Sequence, residues 1–297
     1  MTTTWRDVAR KDFADAVRSK MVWGVVGVFV SFMGLLLLVA GAAFPSDVEV
    51  EAEMGLAFVA ELAQLFVPLV ALIAAYMSVV GERRSGSIRV LLSYPFTRFD
   101  VVAGKLVGRA VVIGSALLVG LVVTLGLAVV VYGVPEAGAT LGLFASVLLF
   151  GLAFTGLGVG ISAASATRGK AMAAVIGIYL LFLMFWEPIA AGVYYVLNGT
   201  RPGIQVEAWY FLLKRLSPIE AFRALADSIF EISIGSPVLL PVEDTAGATP
   251  EQLELANRVA GELPFYLSEW VLVVVLLAWG VVPAALGYLR FRDADLG

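Results

Sequence analysis

Six stretches of about twenty apolar residues each govern what this chain can become. Crossing a hydrocarbon core of about 30 Å as a helix takes roughly 20 residues. Residues 22–43, 62–80, 110–132, 139–163, 171–190 and 270–289 each reach that length, give or take a few positions. None contains Lys or Arg, and Glu187 is the one carboxylate among them. In lipid every backbone amide must find its partner inside the protein, so only helices and closed barrels cross. These stretches are rich in Val, Leu, Gly and Ala and lack strict alternation, which selects helices over barrel strands. The expected fold is an all-α polytopic membrane protein with six transmembrane helices.

Composition closes the remaining exits. Of 297 residues, 60% are apolar and 15% charged, against about half and a quarter in soluble domains. A soluble enzyme is excluded, because too few polar residues exist to cover its surface. The chain has no Cys and no His. Disulfides, thiolate nucleophiles, imidazole metal ligands and a Ser-His-Asp triad are therefore absent. Catalysis inside the chain would have to rest on carboxylates, Lys, Tyr or Ser, and no catalytic residue, cofactor or metal site is singled out in it. The span methionines Met33, Met77, Met172 and Met184 are scattered and do not form a copper path.

Orientation follows from where Lys and Arg fall. The N-terminal segment, 81–109, 167–170 and the C-terminal tail together hold 15 of the 20 basic residues and seven acidic ones. The opposite set holds the other five basic residues and most of the carboxylates. Both termini are thus expected in the cytoplasm of a multi-pass plasma-membrane protein, which six crossings allow and five would not. The first span is read as retained, since it is too long for a signal-peptide core. No repeat or low-complexity linker divides the chain, so 1–297 reads as one membrane domain.

Two segments outside the spans carry information. Over residues 1–21, Trp5, Val8, Ala9, Phe13, Ala16 and Val17 recur at helical spacing, with Arg6, Arg10, Lys11 and Arg18 between them. That is an amphipathic helix suited to the headgroup layer and anionic lipid. A second role, as part of a cytoplasmic docking surface, is a working hypothesis. The link 81–109, GERRSGSIRVLLSYPFTRFDVVAGKLVGR, is far longer than a turn needs. Ile88, Leu91, Leu92 and Pro95 sit at i, i+3, i+4 and i+7, predicting a short helix stopped by Pro95. Gly86 and Ser87 suit the turn and cap before it, and Phe96 and Phe99 add apolar bulk after it. A short helix with apolar knobs and a basic rim fits a groove on another protein or a lipid surface equally well.

The order Glu82, Gly86-Ser87, Leu91-Leu92-Ser93, Pro95, Arg98 and Gly104-Lys105 resembles the first cytoplasmic loop of the type-2 family of ATP-binding-cassette (ABC) exporter permeases. That loop usually runs Glu-x-x-x-Gly-Thr, Leu-Leu-Ser, Pro, Arg and Gly-Lys, and Ser87 here replaces the Thr. The motif spans about a tenth of the chain. Six spans, a basic amphipathic N-terminal helix and a long outer segment extend the likeness along its length. The resemblance implies that residues 83–99 form a coupling helix seated in a separate ATPase subunit. Glu82 and Arg83 would stand at its base, with Ile88, Leu91, Leu92, Pro95, Phe96 and Arg98 as coupling residues. It implies two permease halves, a homodimer or a pair of paralogues, around a pathway lined by spans two and five. Family members carry cargo as different as drugs, lipids, glycans and ions, and no residue here chooses among them.

No nucleotide site is expected in the chain itself. Gly104-Lys105 and Gly169-Lys170 lack the earlier Gly and the following Ser or Thr of a phosphate-binding loop. ATP and Mg would bind the partner ATPase, and no nucleic-acid partner is indicated. The outer segment 191–269 should hold two amphipathic helices joined at Ser217-Pro218, a loop over 237–250 and a polar helix over 251–262. Asn198-Gly199-Thr200 is a glycosylation sequon. Pro188 should break or bend the fifth span just after Glu187. Glu187, with Trp186 and Phe185 beside it, is a candidate pathway or gate residue, weighed against a solvated helix end. A stand-alone secondary transporter or channel would instead show broken helices with charges at mid-membrane, or inverted repeats. A membrane-embedded enzyme would need clustered ionisable groups in the bilayer. Neither pattern is visible.

Overall fold

The computed structural model describes residues 4–18, 23–24, 27, 30–32, 34–35, 39, 52–94, 96–230, 242–245 and 247–294. Five helices among the described residues are long and apolar enough to cross a membrane: Gly55–Ser85, Arg98–Tyr132, Ala137–Ala164, Arg168–Asn198 and Glu269–Arg292. They match the second to sixth predicted spans. The first, 22–43, lies largely outside the described residues, although those of its residues that are described are helical.

In chain order, α1 is Trp5–Val17, and span two consists of α2, Ala52–Ala75, and α3, Val80–Ser85. The short α4, Ser87–Ser93, follows, then α5, Arg98–Tyr132, and α6, Ala137–Ala164. Span five runs as α7, Arg168–Leu180, a π-helical turn Leu181–Phe185, and α8, Trp186–Asn198. Beyond it come α9, Ala208–Arg215, α10, Pro218–Phe230, and the single turns α11, Pro250–Leu253, and α12, Leu255–Arg258. Span six is α13, Glu269–Arg292.

The centre of the bundle is α6, packed by α13, α2, α5 and α10. Lipid tails are as apolar as side chains, so close backbone approach rather than hydrophobic burial drives such packing. Gly156 and Gly160 of α6 face Gly280, Pro283 and Gly287 of α13 so closely that any Cβ on these glycines of α6 would collide with the α13 backbone. Span two breaks its helix at residues 76–79, and the amides of Val79 and Val80 donate to Ser162 Oγ of α6 at 3.0 and 3.1 Å. A buried hydroxyl thereby satisfies backbone donors that lipid could not.

Two predictions need correction. Pro188 does not break the helix after Glu187. The π turn at 181–185 puts it in the first turn of α8, where a missing N–H costs little, and the helix continues to Asn198. The polar helix over 251–262 is reduced to α11 and α12, because Val259 leaves helical geometry to form a parallel bridge with Val206. The expected pair of helices around Ser217-Pro218 is present as α9 and α10. Of these, α10 runs into the bundle, where the fully buried Phe222 stacks on Phe150 of α6 with ring centroids 4.3 Å apart. The predicted loop 237–250 falls partly outside the described residues.

The apolar interior is divided. The main core unites α2, α5, α6, α7, α10 and α13. A smaller, separate core of Ala190, Tyr194, Val206, Tyr210, Phe211, Val259 and Leu267 sits at the end away from the termini.

Candidate functional site

At the end carrying both termini, a charge hub ties four segments together. Gly104 and Gly108 lie one turn apart on α5, and side chains added there would strike Val8, Trp5, Ala9 and Asp12 of α1. These two glycines are the seat on which α1 rests. Seated there, Asp12 is buried and its Oδ1 accepts from Lys105 Nζ at 2.8 Å. Lys105 also meets Glu82 of α3 at 2.6 Å, while Arg109 Nε reaches Asp12 Oδ2 at 2.9 Å. A second bond of Arg109, to the Ala74 carbonyl, spans 3.1 Å. Lys105 is only 6% exposed. A buried ammonium is stable only when paired and hydrogen-bonded, and here two carboxylates from two helices supply the pairing.

The 81–109 link is not a loop. Glu82 and Arg83 stand on the last turn of span two, and α5 already begins at Arg98. Gly86 makes the corner between α3 and α4 with φ +75°, where only glycine is unstrained. Gly86 is therefore the cap residue and Ser87 the first residue of α4. Tyr94 is extended, the conformation imposed on a residue before proline. Thr97 and Asp100 then form a reciprocal capping box that starts α5.

The predicted coupling residues that are described form a fixed base, and the exposed tip beside them is Tyr94 and Phe99, which were not among those residues. Ile88 is turned inward and 2% exposed, and Leu91 packs half-buried on the main core. Arg83 Nη1 donates to the Ser165 carbonyl at 3.0 Å. Arg98 Nη1 donates to the carbonyls of Phe291, Arg292 and Ala294 at 2.7 to 2.8 Å, capping the end of α13. Phe96 is half-buried, whereas Tyr94 is 60% exposed and Phe99, edge-on to Tyr288, is also largely exposed. Pro95 and the side chain of Leu92 lie outside the described residues.

At the opposite end, Glu187 is 7% exposed and engaged. Its Oε1 lies 2.9 Å from Lys214 Nζ of α9 and 3.7 Å from Arg223 Nη2 of α10. Lys214 meets Glu243 at 2.7 Å, and Arg258 meets the other oxygen of Glu243 at 2.8 Å. Arg223 pairs with Glu220 at 2.6 Å. Burial pushes the Glu243 carboxyl up, but the cations of Lys214 and Arg258 outweigh it and hold the group at about 2. Trp186 Nε1 donates to the carbonyls of Leu213 and Lys214, while Phe185 faces outward. Asn198, of the sequon, donates to Glu207 at 2.7 Å.

Spacing along the chain could not reveal Asp12 or Lys214 as partners, since each lies far in sequence from the groups it meets. A weaker signal existed. Lys214, Arg223 and Arg258 are three of the five basic residues on an otherwise acidic side, and unexpected charge of one sign invites a search for its counter-ion.

Comparison with known proteins agrees with the sequence resemblance. A family model described as "ABC-2 family transporter protein" matches residues 6–296. Two relatives bear the name "Probable ABC transporter permease protein NosY". The one from Pseudomonas aeruginosa is 26% identical over 297 residues, covering 98% of this chain and 99% of its own. The one from Stutzerimonas stutzeri is 28% identical over 299 residues, with the same coverage.

Proposed function

The chain belongs to the ABC-2 transporter family, and on that premise we propose that it is the permease half of an ATP-driven exporter. Two copies, or this chain and a paralogue, enclose the pathway, and separate ABC ATPase subunits bind the α4 region and hydrolyse ATP with Mg. The permease contributes no catalytic group. Ile88 and Leu91, with Leu92 and Pro95 by resemblance, fix or shape the lever, and Tyr94 and Phe99 present the face that the ATPase grips.

The observation that carries this reading is the contrast between base and tip. Glu82 and Arg83 tie the α3–α4 segment to Lys105 of span three and to the end of span four, Ile88 is buried, and Arg98 at the start of α5 caps span six, while Tyr94 projects from the end of α4. A push on such a lever moves helices as rigid bodies instead of bending a loop. Cytoplasmic placement of both termini is supported by the basic residues gathered at that end. A sixth crossing is supported by the positions flanking 22–43. Residues of α1 lie against Gly108, whereas Gly55 lies against Tyr132 at the other end of α5.

The test is purification of the full chain in nanodiscs after co-expression with its genomic neighbours, identifying every chain that copurifies. An ABC ATPase at a one-to-one ratio supports the proposal. Transport by the chain alone, with no nucleotide-binding partner, would favour a secondary transporter.

A further inference from the structure

The far end of the molecule has its own apolar core, and Trp186 at the foot of α8 packs against the main one. The far-end core is contributed by α8, α9, the Val206–Val259 bridge and Leu267. Its own ion pairs, Glu187 to Lys214, Lys214 to Glu243 and Glu243 to Arg258, hold these pieces together. Three links within the described residues join this unit to the bundle, and the chain also passes between unit and bundle through residues 231–241, outside the described residues. One is the π turn Leu181–Phe185 beneath α8, another the two-residue link Leu216-Ser217 between α9 and α10, and the last the start of α13. A π turn is wider than an α turn and recurs where helices serve a functional role. Here it lies directly below Glu187.

Polar contacts link the unit to the bundle. Arg223, on the bundle side, reaches Glu187 only at 3.7 Å, while the same Glu187 oxygen is 2.9 Å from Lys214 within the unit. Trp279 of α13 donates to the Leu216 carbonyl at 2.9 Å. Arg223 Nη1 is buried and makes no hydrogen bond. A buried guanidinium with an unused donor beside a carboxylate shared with another cation is a contact that can tighten or release.

We propose that α8, α9 and the segments packed on them form a lid that moves as one body about the π turn 181–185, with Glu187–Arg223 as its latch. Within the lid the tighter ion pairs and the aromatic core of Tyr194, Tyr210 and Phe211 stay intact during the motion. This inference goes beyond the permease reading and does not depend on the ATPase.

The chain has no Cys, so introduced cysteines are its only labelling sites. A spin-label pair at Val134→Cys and Val196→Cys spans lid and bundle, and a pair at Val196→Cys and Leu263→Cys lies within the lid; all three positions are exposed. Pulsed electron–electron distance measurements in nanodiscs, with labelled chain diluted into unlabelled chain, read each pair. Arg223→Met should broaden the 134–196 distribution and populate distances at least 5 Å longer, leaving the 196–263 distribution unchanged. Glu187→Gln, which keeps an oxygen for Lys214, should give a smaller broadening of the first pair alone. An unchanged 134–196 distribution in Arg223→Met would overturn the latch. Equal broadening of both pairs would overturn the rigid lid.

Discussion

Lys105 and Glu82 meet at 2.6 Å across the gap between the third span and the last turn of the second. Asp12 of the N-terminal helix holds the same ammonium from the other side at 2.8 Å. The three groups make the N-terminal helix, the base of α4 and the start of α5 one mechanical unit at the end where the chain begins and finishes. Two of them, Glu82 and Lys105, belong to the motif that first suggested an exporter permease. The geometry gives that motif a physical reason: its acidic and basic members are partners.

Removing the ammonium should be costly. Lys105→Met leaves Glu82 without its cation and Asp12 with Arg109 alone, and breaking one side of a buried pair typically costs about 3–5 kcal/mol. Thermal unfolding in detergent should show a clear fall in Tm for Lys105→Met and a smaller one for Lys105→Arg, which keeps the charge. Equal Tm values for Lys105→Met and the unaltered protein would show that the hub does not stabilise the fold.

The glycine seat makes a sharper claim about α1. Gly104→Val or Gly108→Val should lift α1 from α5, because the added atoms would occupy space held by Val8, Trp5 or Asp12. Hydrogen exchange over residues 5–17 should accelerate at least tenfold while α6 remains protected. Unchanged exchange would mean that α1 is held by lipid and not by this seat.

Arg98→Ala should release the end of span six. Three carbonyl acceptors at the C-terminus of α13 lose their common donor, leaving helix-end groups that water would have to satisfy. Faster exchange confined to residues 288–294 is expected, with the helix above Gly280 unaffected.

The lid responds to acid in a defined direction. Glu243 is held at about 2, below its ordinary value of 4.5. A depressed carboxylate contributes stability that is complete above the ordinary value and is lost as pH falls through the folded one. Label mobility at position 196 should therefore be constant from pH 7 to 5 and rise between about 4.5 and 2. Glu243→Gln should abolish that acid transition. A rise centred near neutrality would point to another group.

Much of the fold was legible because lipid simplifies it: long apolar runs have few ways to satisfy their backbone. The apolar runs 139–163 and 270–289 each fall within one helix, Ala137–Ala164 and Glu269–Arg292. Other features were hidden for specific reasons. Ile88 fits the stripe of a docking helix, yet the corner at Gly86 turns it into the core. Glu187 was recognised as a costly intramembrane carboxylate, but its Lys214 partner stands 27 positions on and follows only from the fold. Pro188 reads as a helix breaker, and a π turn absorbs it. Gly104 was visible as part of the Gly-Lys pair, while the helix that it and Gly108 receive was not.

In the proposed assembly Tyr94 sits at the tip of a lever gripped by an ATPase. A photo-crosslinking amino acid placed at Tyr94 in cells, followed by mass-spectrometric identification of the adducts, tests it most directly. A crosslink to an ABC ATPase chain is expected, and it should disappear when Gly86→Val displaces α4. Adducts with phospholipid alone, at full expression and normal folding, would contradict it.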